Sequence, residues 1–211
     1  MDENGVGRQH QGFSRRTYFA FTVGVIVIGW IIAAGNTGIS YLALGTDAIP
    51  IITGTLGCVA FVVLLRLLHR AWWLAVVSVL PALLVLVGSV QYPLEAALGS
   101  RGVRTAVTVT ADSAAGTGSS AHRFTVEGPD GPLEETLDYR GDNPTWKVGD
   151  RLVVVSDPEK TVSMVEASEV DSDGKFGMLL MGVIGWTCVT LLAGLRGFVR
   201  RREGRTVFYE G

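Results

Sequence analysis

Four long apolar runs, Thr17–Asn36, Ala48–Leu68, Ala71–Val90 and Phe176–Gly194, constrain this chain more than any motif in it. Each approaches or exceeds the ~18–20 apolar residues needed to cross a hydrocarbon core of about 30 Å. A soluble domain rarely carries one such run. Four of them in 211 residues predict an integral membrane protein. The predicted fold class is four transmembrane α-helices plus a small antiparallel β-domain, either an OB/SH3-like barrel or a curled sheet.

Charge is partitioned between the two parts. The segment Gln91–Lys175 holds 15 acidic and 8 basic residues, a net of −7, while the rest of the chain carries a net of +5. The basic residues flank the apolar runs instead of lining a groove, so the pattern excludes a nucleic-acid footprint. Arg8, Arg15 and Arg16 precede the first run. Arg66, His69 and Arg70 join the second to the third, and Arg196, Arg200, Arg201, Arg202 and Arg205 follow the fourth. The loop Thr37–Asp47 has no Lys or Arg. Under the positive-inside rule this predicts cytoplasmic tails at 1–16 and 195–211, with an extracytoplasmic β-domain and its linkers at 91–175. Tyr18, Phe19, Trp72 and Trp73 suit one interfacial belt, Tyr41 and Tyr92 the other. Arg200, Arg201, Arg202 and Arg205 are candidate contacts for anionic lipid headgroups. Ser14–Phe19 has the look of a twin-arginine signal, and Ala33-Ala34-Gly35 of a cleavage site. The length of the run and the spans that follow favour an uncleaved anchor.

Ionisable residues are scarce at mid-span. Thr53, Thr55, Ser78, Thr187 and Thr190 are hydroxyls able to bond to their own helices. Proton-coupled transport and intramembrane metalloproteolysis both need more than this. Pro50 falls in a first turn, whereas Pro81 lies mid-span and predicts a kink. Gly24, Gly29, Gly54, Gly57, Gly182 and Gly185 allow close helix approach, within one bundle or between copies of the chain. Cys58 and Cys188 lie inside runs and read as small packing residues.

Between Arg101 and Val170 the pattern changes to short alternating segments. Val103–Val109, His122–Glu127, Leu133–Tyr139, Arg151–Val155 and Thr161–Glu166 read as strands. Ala114–Ser120 is a Gly/Ser loop, and Pro129-Asp130-Gly131 has turn chemistry. Val148-Gly149-Asp150-Arg151 runs through a strand to Asp157-Pro158. That signature, with the Gly/Ser loop before it, resembles a widespread family of uncharacterised bacterial multi-pass membrane proteins, a domain of unknown function. The resemblance covers about Gly102–Gly194 and implies a small β-domain bounded by membrane helices. It implies no chemistry. Where the family's pattern places a tyrosine before the closing Asp-Pro, this chain has Ser156.

His122 is the domain's only histidine, and without clustered Cys or carboxylates it does not make a zinc site. It reads as a solvated or strand-paired side chain. Ser119 and Ser120 precede it, but a Ser–His pair needs an orienting acid. Asp171-Ser172-Asp173-Gly174 opens like a calcium loop, yet the twelfth position is Gly182. Asp171, Asp173 and Glu169 therefore read as a solvated linker, and Glu134-Glu135 as a solvated strand edge. Trp146 is either a core residue or an exposed anchor. Trp146 and His122 are the two candidate partner contacts. The expectation is a non-enzymatic envelope scaffold or accessory protein, without cofactor or metal, that meets a membrane or envelope partner through the β-domain. A transport component assembled by homo-oligomerisation of the helices is the alternative.

Overall fold

The structure, a computed structural model, describes residues 15–69 and 72–202. Four stretches of helix are long and apolar enough to cross a membrane: Phe19–Leu42, Ala48–Arg66, Trp72–Arg101 and Ser172–Arg196. They belong to α1 (Arg15–Leu42), α2 (Ala48–His69), the pair α3 (Trp72–Val77) and α4 (Val79–Arg101), and α5 (Ser172–Arg202). A five-stranded antiparallel sheet is inserted between α4 and α5. Its strands are β1 (Val103–Asp112), β2 (Ala121–Gly128), β3 (Gly131–Arg140), β4 (Arg151–Ser156) and β5 (Val165–Glu166), in the order β3-β2-β1-β4-β5. It is a curled half-barrel. β3 and β5 are not hydrogen-bonded to each other, and Lys160 Nζ reaches Glu134 at 2.6 Å between them.

The helices overrun the apolar runs. α1 continues past Asn36 because Thr37 Oγ1 and Ser40 Oγ bond back to the Ala33 and Asn36 carbonyls at 2.8 and 3.0 Å. These polar residues therefore ride inside the helix instead of ending it. α4 runs to Arg101, so residues 91–101 are helix and not the linker of a polar domain. Asp171 is solvent-exposed as expected, but it belongs to the start of a helix and not to a linker. Its carboxylate accepts the Gly174 N–H at 3.0 Å and its carbonyl the Lys175 N–H at 3.1 Å, which makes it the N-cap of α5. The third run is interrupted at Ser78, three residues before Pro81. Proline there clashes with the turn before it and removes the bond to the Val77 carbonyl.

Aromatic side chains mark both ends of the bundle. Near the sheet, Tyr92 packs edge-on to Tyr41 at 6.2 Å and lies 5.2 Å from Phe176. At the far end, the Arg196 guanidinium sits 5.3 Å over Trp73. From Trp73 to Tyr92 the helix rises about 29 Å at ~1.5 Å per residue, close to a hydrocarbon core. Between the two ends, Phe61 and Trp186 stack at 4.2 Å in a cluster with Val25, Ala33, Ala82 and Val85.

Five of the six glycines expected to bring helices together serve this packing. A Cβ on Gly182 would lie 2.7 Å from the Val85 N, and one on Gly57 2.6 Å from Ile32 Cγ2. Gly29, Gly54 and Gly185 also meet side chains of neighbouring helices, whereas Gly24 has nothing within 4 Å. Between helices Gly88 is tightest, since a Cβ there would stand 2.5 Å from the Leu179 N and 2.7 Å from its Cα. Gly88→Ala forces two backbones apart and should cost about 1–3 kcal/mol. Gly24→Ala should cost nothing measurable. Denaturation of the two variants in mixed micelles checks the contrast.

One polar group joins three helices. Asn36 is buried; its Nδ2 donates to Ser89 Oγ at 2.8 Å, and its Oδ1 lies 2.7 Å from Thr53 Oγ1. Ser89 and Thr53 hold reserve bonds to the Leu86 and Ile49 carbonyls. Asn36→Leu should therefore cost only about 1 kcal/mol, read in the same titration.

Candidate functional site

The sheet's concave face is filled by its own side chains. Alternation along β1 and β2 turns Val107, Val109, Phe124 and Val126 inward, where Leu137, Val154 and Met164 meet them. The connection from β3 to β4 adds Trp146, which is 7% exposed. Its ring meets Phe124 at 5.8 Å and Tyr139 at 6.0 Å, both nearly perpendicular, and its Nε1–H donates to Glu166 Oε2 at 2.7 Å. Of the two roles left open for Trp146, it takes the core one.

His122 is buried and not solvated. Its Nδ1 lies 2.8 Å from Asp112 Oδ2, and its ring stacks parallel to Phe124 at 5.8 Å. Burial pushes the Asp112 carboxyl up, but the Ala114 N–H and His122 outweigh it and hold that carboxyl below its usual range. The chain thus supplies the acid that orients an imidazole. The nearby hydroxyls have other work, with Ser119 Oγ and Ser113 Oγ accepting the Ala121 and Arg123 N–H groups. The signal for an inward His122 was its alternation with Phe124 and Val126. Glu134 is exposed and paired with Lys160, which holds its carboxyl below the usual range. Glu135, by contrast, has a buried Oε2 with no partner. The last strand is only Val165–Glu166, because the chain after β4 first makes a tight turn, with Lys160 at φ 52°.

That turn builds the joint between sheet and helices. Asp157 has a fully buried carboxylate. Its Oδ2 accepts from Arg101 Nη2 at 2.9 Å, Thr161 Oγ1 at 2.6 Å and the Thr161 and Val162 N–H groups; its Oδ1 accepts the Glu159 N–H. Burial raises this group, yet the bonds from Thr161, the Glu159 N–H and Arg101 prevail and lower it to about 2. Arg101 also pairs with Glu159 at 2.5 Å. The residue after Arg101 is Gly102, and after it β1 begins. A Cβ on Gly102 would meet the Leu98 carbonyl oxygen at 2.3 Å and Val155 Cγ1 at 2.4 Å, so only glycine fits. The α1–α2 turn reaches the same place. Gly45, at φ 84°, brings its backbone against the Thr161 carbonyl. Ala97, Leu98, Val155 and Val162 form an apolar core for the joint.

Beside the joint lies a cleft of about 310 Å³. The α1–α2 turn gives it Gly45 and Asp47, and α4 gives Gln91, Leu94, Glu95 and Leu98. The segment around β5 closes it with Val162, Ser163, Val165, Glu169 and Val170. Glu95 is engaged by Lys175 at 3.6 Å and by the Asp171 N–H. Desolvation, then the neighbouring Glu166 and Glu95, push the Glu169 carboxyl up.

At the opposite end of the bundle, Arg200, Arg201 and Arg202 lie on the last turn of α5. Arg205 lies outside the described residues, as do Arg8 and Arg70. Cys58 and Cys188 are free thiols. Among the described residues no group of three or more His, Cys, Asp or Glu side chains could hold a metal ion. Compared with protein-family models, curated proteins and solved structures, the chain matches none.

Proposed function

We propose that the protein is a membrane-embedded scaffold or accessory protein of the cell envelope, which holds its half-barrel at a fixed height and orientation for a partner protein. In this reading the four helices cross the bilayer, both tails are cytoplasmic and the sheet is extracytoplasmic. Arg16, Arg66 and Arg196 at the end away from the sheet support that orientation. Arg200, Arg201, Arg202 and Arg205 then meet anionic headgroups, at about 1 kcal/mol per charge. The architecture is the one implied by the resemblance to bacterial membrane proteins with a helix-bounded β-domain.

The observation that carries the proposal is the joint. α4 becomes β1 across Gly102 alone, and Arg101 is bonded to a buried Asp157. A short, bonded passage transmits orientation, which a flexible tether does not. The sheet's other face, with Ala106, Arg123 and Thr136 exposed, is free to meet a partner. Asn36 bonds to both Thr53 and Ser89, which weighs against the alternative of helices assembling into a polar path.

Photo-crosslinkers at Ala106, Arg123 and Thr136 in intact cells test the proposal. One discrete adduct should form at these positions and not at lipid-facing Leu80. A six-residue Gly/Ser insertion after Gly102 should abolish it. An adduct indifferent to the insertion, or none at any position, rejects rigid presentation.

A further inference from the structure

We infer that the cleft between the helix ends and the β5 segment is a binding site for a primary ammonium group carried on an apolar body, at the membrane surface. The inference rests on the reading that the helices cross a bilayer.

The cleft's size is the first reason. About 310 Å³ is at the lower bound for small-molecule sites and far above what one water needs. Its lining is the second. Leu94, Leu98, Val162 and Val165 make an apolar wall, facing carboxylates with no Lys or Arg among the lining residues. Glu95 is paired with Lys175. Asp47 and Glu169 are exposed and have no side-chain partner among the described residues, so the cleft offers two carboxylates without a cationic side chain on them, beside hydrocarbon. The third reason is position. Gln91 and Leu94, on α4, flank Tyr92 of the aromatic cluster at this end of the bundle. An occupant there has its cation in the headgroup layer and its apolar part at the edge of the hydrocarbon. A carboxylate pair also donates nothing, so it selects against anionic heads and favours a head with N–H donors.

Two sources share this chemistry: the headgroup of an aminophospholipid, and a free aliphatic amine. The test uses the full-length protein in detergent micelles, with native mass spectrometry counting bound molecules. The probes are phosphatidylethanolamine, phosphatidylglycerol and 1,4-diaminobutane. The comparison is the double variant D47N/E169Q, whose altered side chains are exposed. An unchanged thermal midpoint shows that the variant is folded. The expected result is one phosphatidylethanolamine retained in preference to phosphatidylglycerol, with that preference falling at least tenfold in the variant. Retention of 1,4-diaminobutane instead, with the same tenfold sensitivity, also supports the site and assigns it to a free amine. Equal retention of phosphatidylglycerol, a preference unchanged in the variant, or no retained probe overturns the inference. A cleft-filling Leu94→Trp variant should mimic the charge variant, and its failure to do so counts against the cleft as the locus. The partner-capture experiment reads the other face of the sheet, so either proposal can fail alone.

Discussion

Asp157→Ala should uncouple the β-sheet from the helices at a cost of about 3 kcal/mol. Removing one partner of a buried pair costs about 3–5 kcal/mol, because the other is left uncompensated. The lower end applies here, since the Arg101 side chain is 32% exposed and water takes over part of its charge. The Thr161 and Val162 N–H groups lose their acceptor as well. Hydrogen exchange should accelerate in the turn after β4 and in the first residues of β1, with α2 unchanged. Glu159→Ala is the control. Its carboxylate is 63% exposed, and its loss should cost less than about 0.5 kcal/mol.

The same group sets an acid limit. Its carboxyl stands at about 2 in the folded protein, below the ordinary 3.8. A depressed carboxyl stabilises the fold above its unfolded value and loses that contribution as pH falls through the folded value. The window is therefore about pH 4 down to pH 2, and the stake is about 2–3 kcal/mol. Stability from this source should be flat between pH 7 and pH 5. Asp157→Asn should remove the fall in the lower window. A wild-type exchange profile at the joint that does not change between pH 4 and pH 2.5 would count against this account.

Trp146→Ala should cost the sheet about 3–5 kcal/mol and leave the helices folded. The ring is the largest side chain in the sheet's core and touches Phe124 and Tyr139. Its loss removes that contact area and leaves a cavity among strands that close no barrel. It also takes from Glu166 Oε2 the N–H it accepted, while Oε1 keeps its bond from Ser168 Oγ. Trp146→Phe keeps much of the ring but loses the bond, and should cost about 1–2 kcal/mol. The helices have a separate core around Phe61 and Trp186, so the damage should stay local. Limited proteolysis is the direct measurement. Cleavage should appear within residues 103–170 of the Ala variant and be absent from the helices. Cleavage spread evenly over both parts would show one cooperative unit instead.

Legibility differed from place to place for physical reasons. The helices could be read because twenty consecutive apolar residues have few other destinations. Their ends could not. Glu95 and Arg101 make residues 91–101 look like a polar linker, yet they are helix, held by the joint at the far end. Asn36 looked like a terminus for the same reason. A polar residue ends an apolar run in the sequence, but in the bundle it bonds to Thr53 and Ser89 and the helix continues. Four of the five strands could be read from alternation. The last shortened to two residues because Asp157 gathers the following backbone N–H groups into a turn. The acid beside His122 sits ten residues back, across a hairpin whose register shifts between Val109 and Ala111. Spacing alone does not reveal such a pair.

What the sequence determined by itself is composition along the chain: which segments are apolar enough to span, which alternate, and which of them the basic residues flank. These are local or additive properties, and each can be summed over a window of residues. The tertiary structure decided the rest. It paired Arg101 with Asp157, Trp146 with Glu166 and Gly88 with the Leu179 backbone, and it opened the cleft between three distant segments. Those contacts join residues far apart in the chain, and their energy depends on burial and distance, which no window of sequence contains.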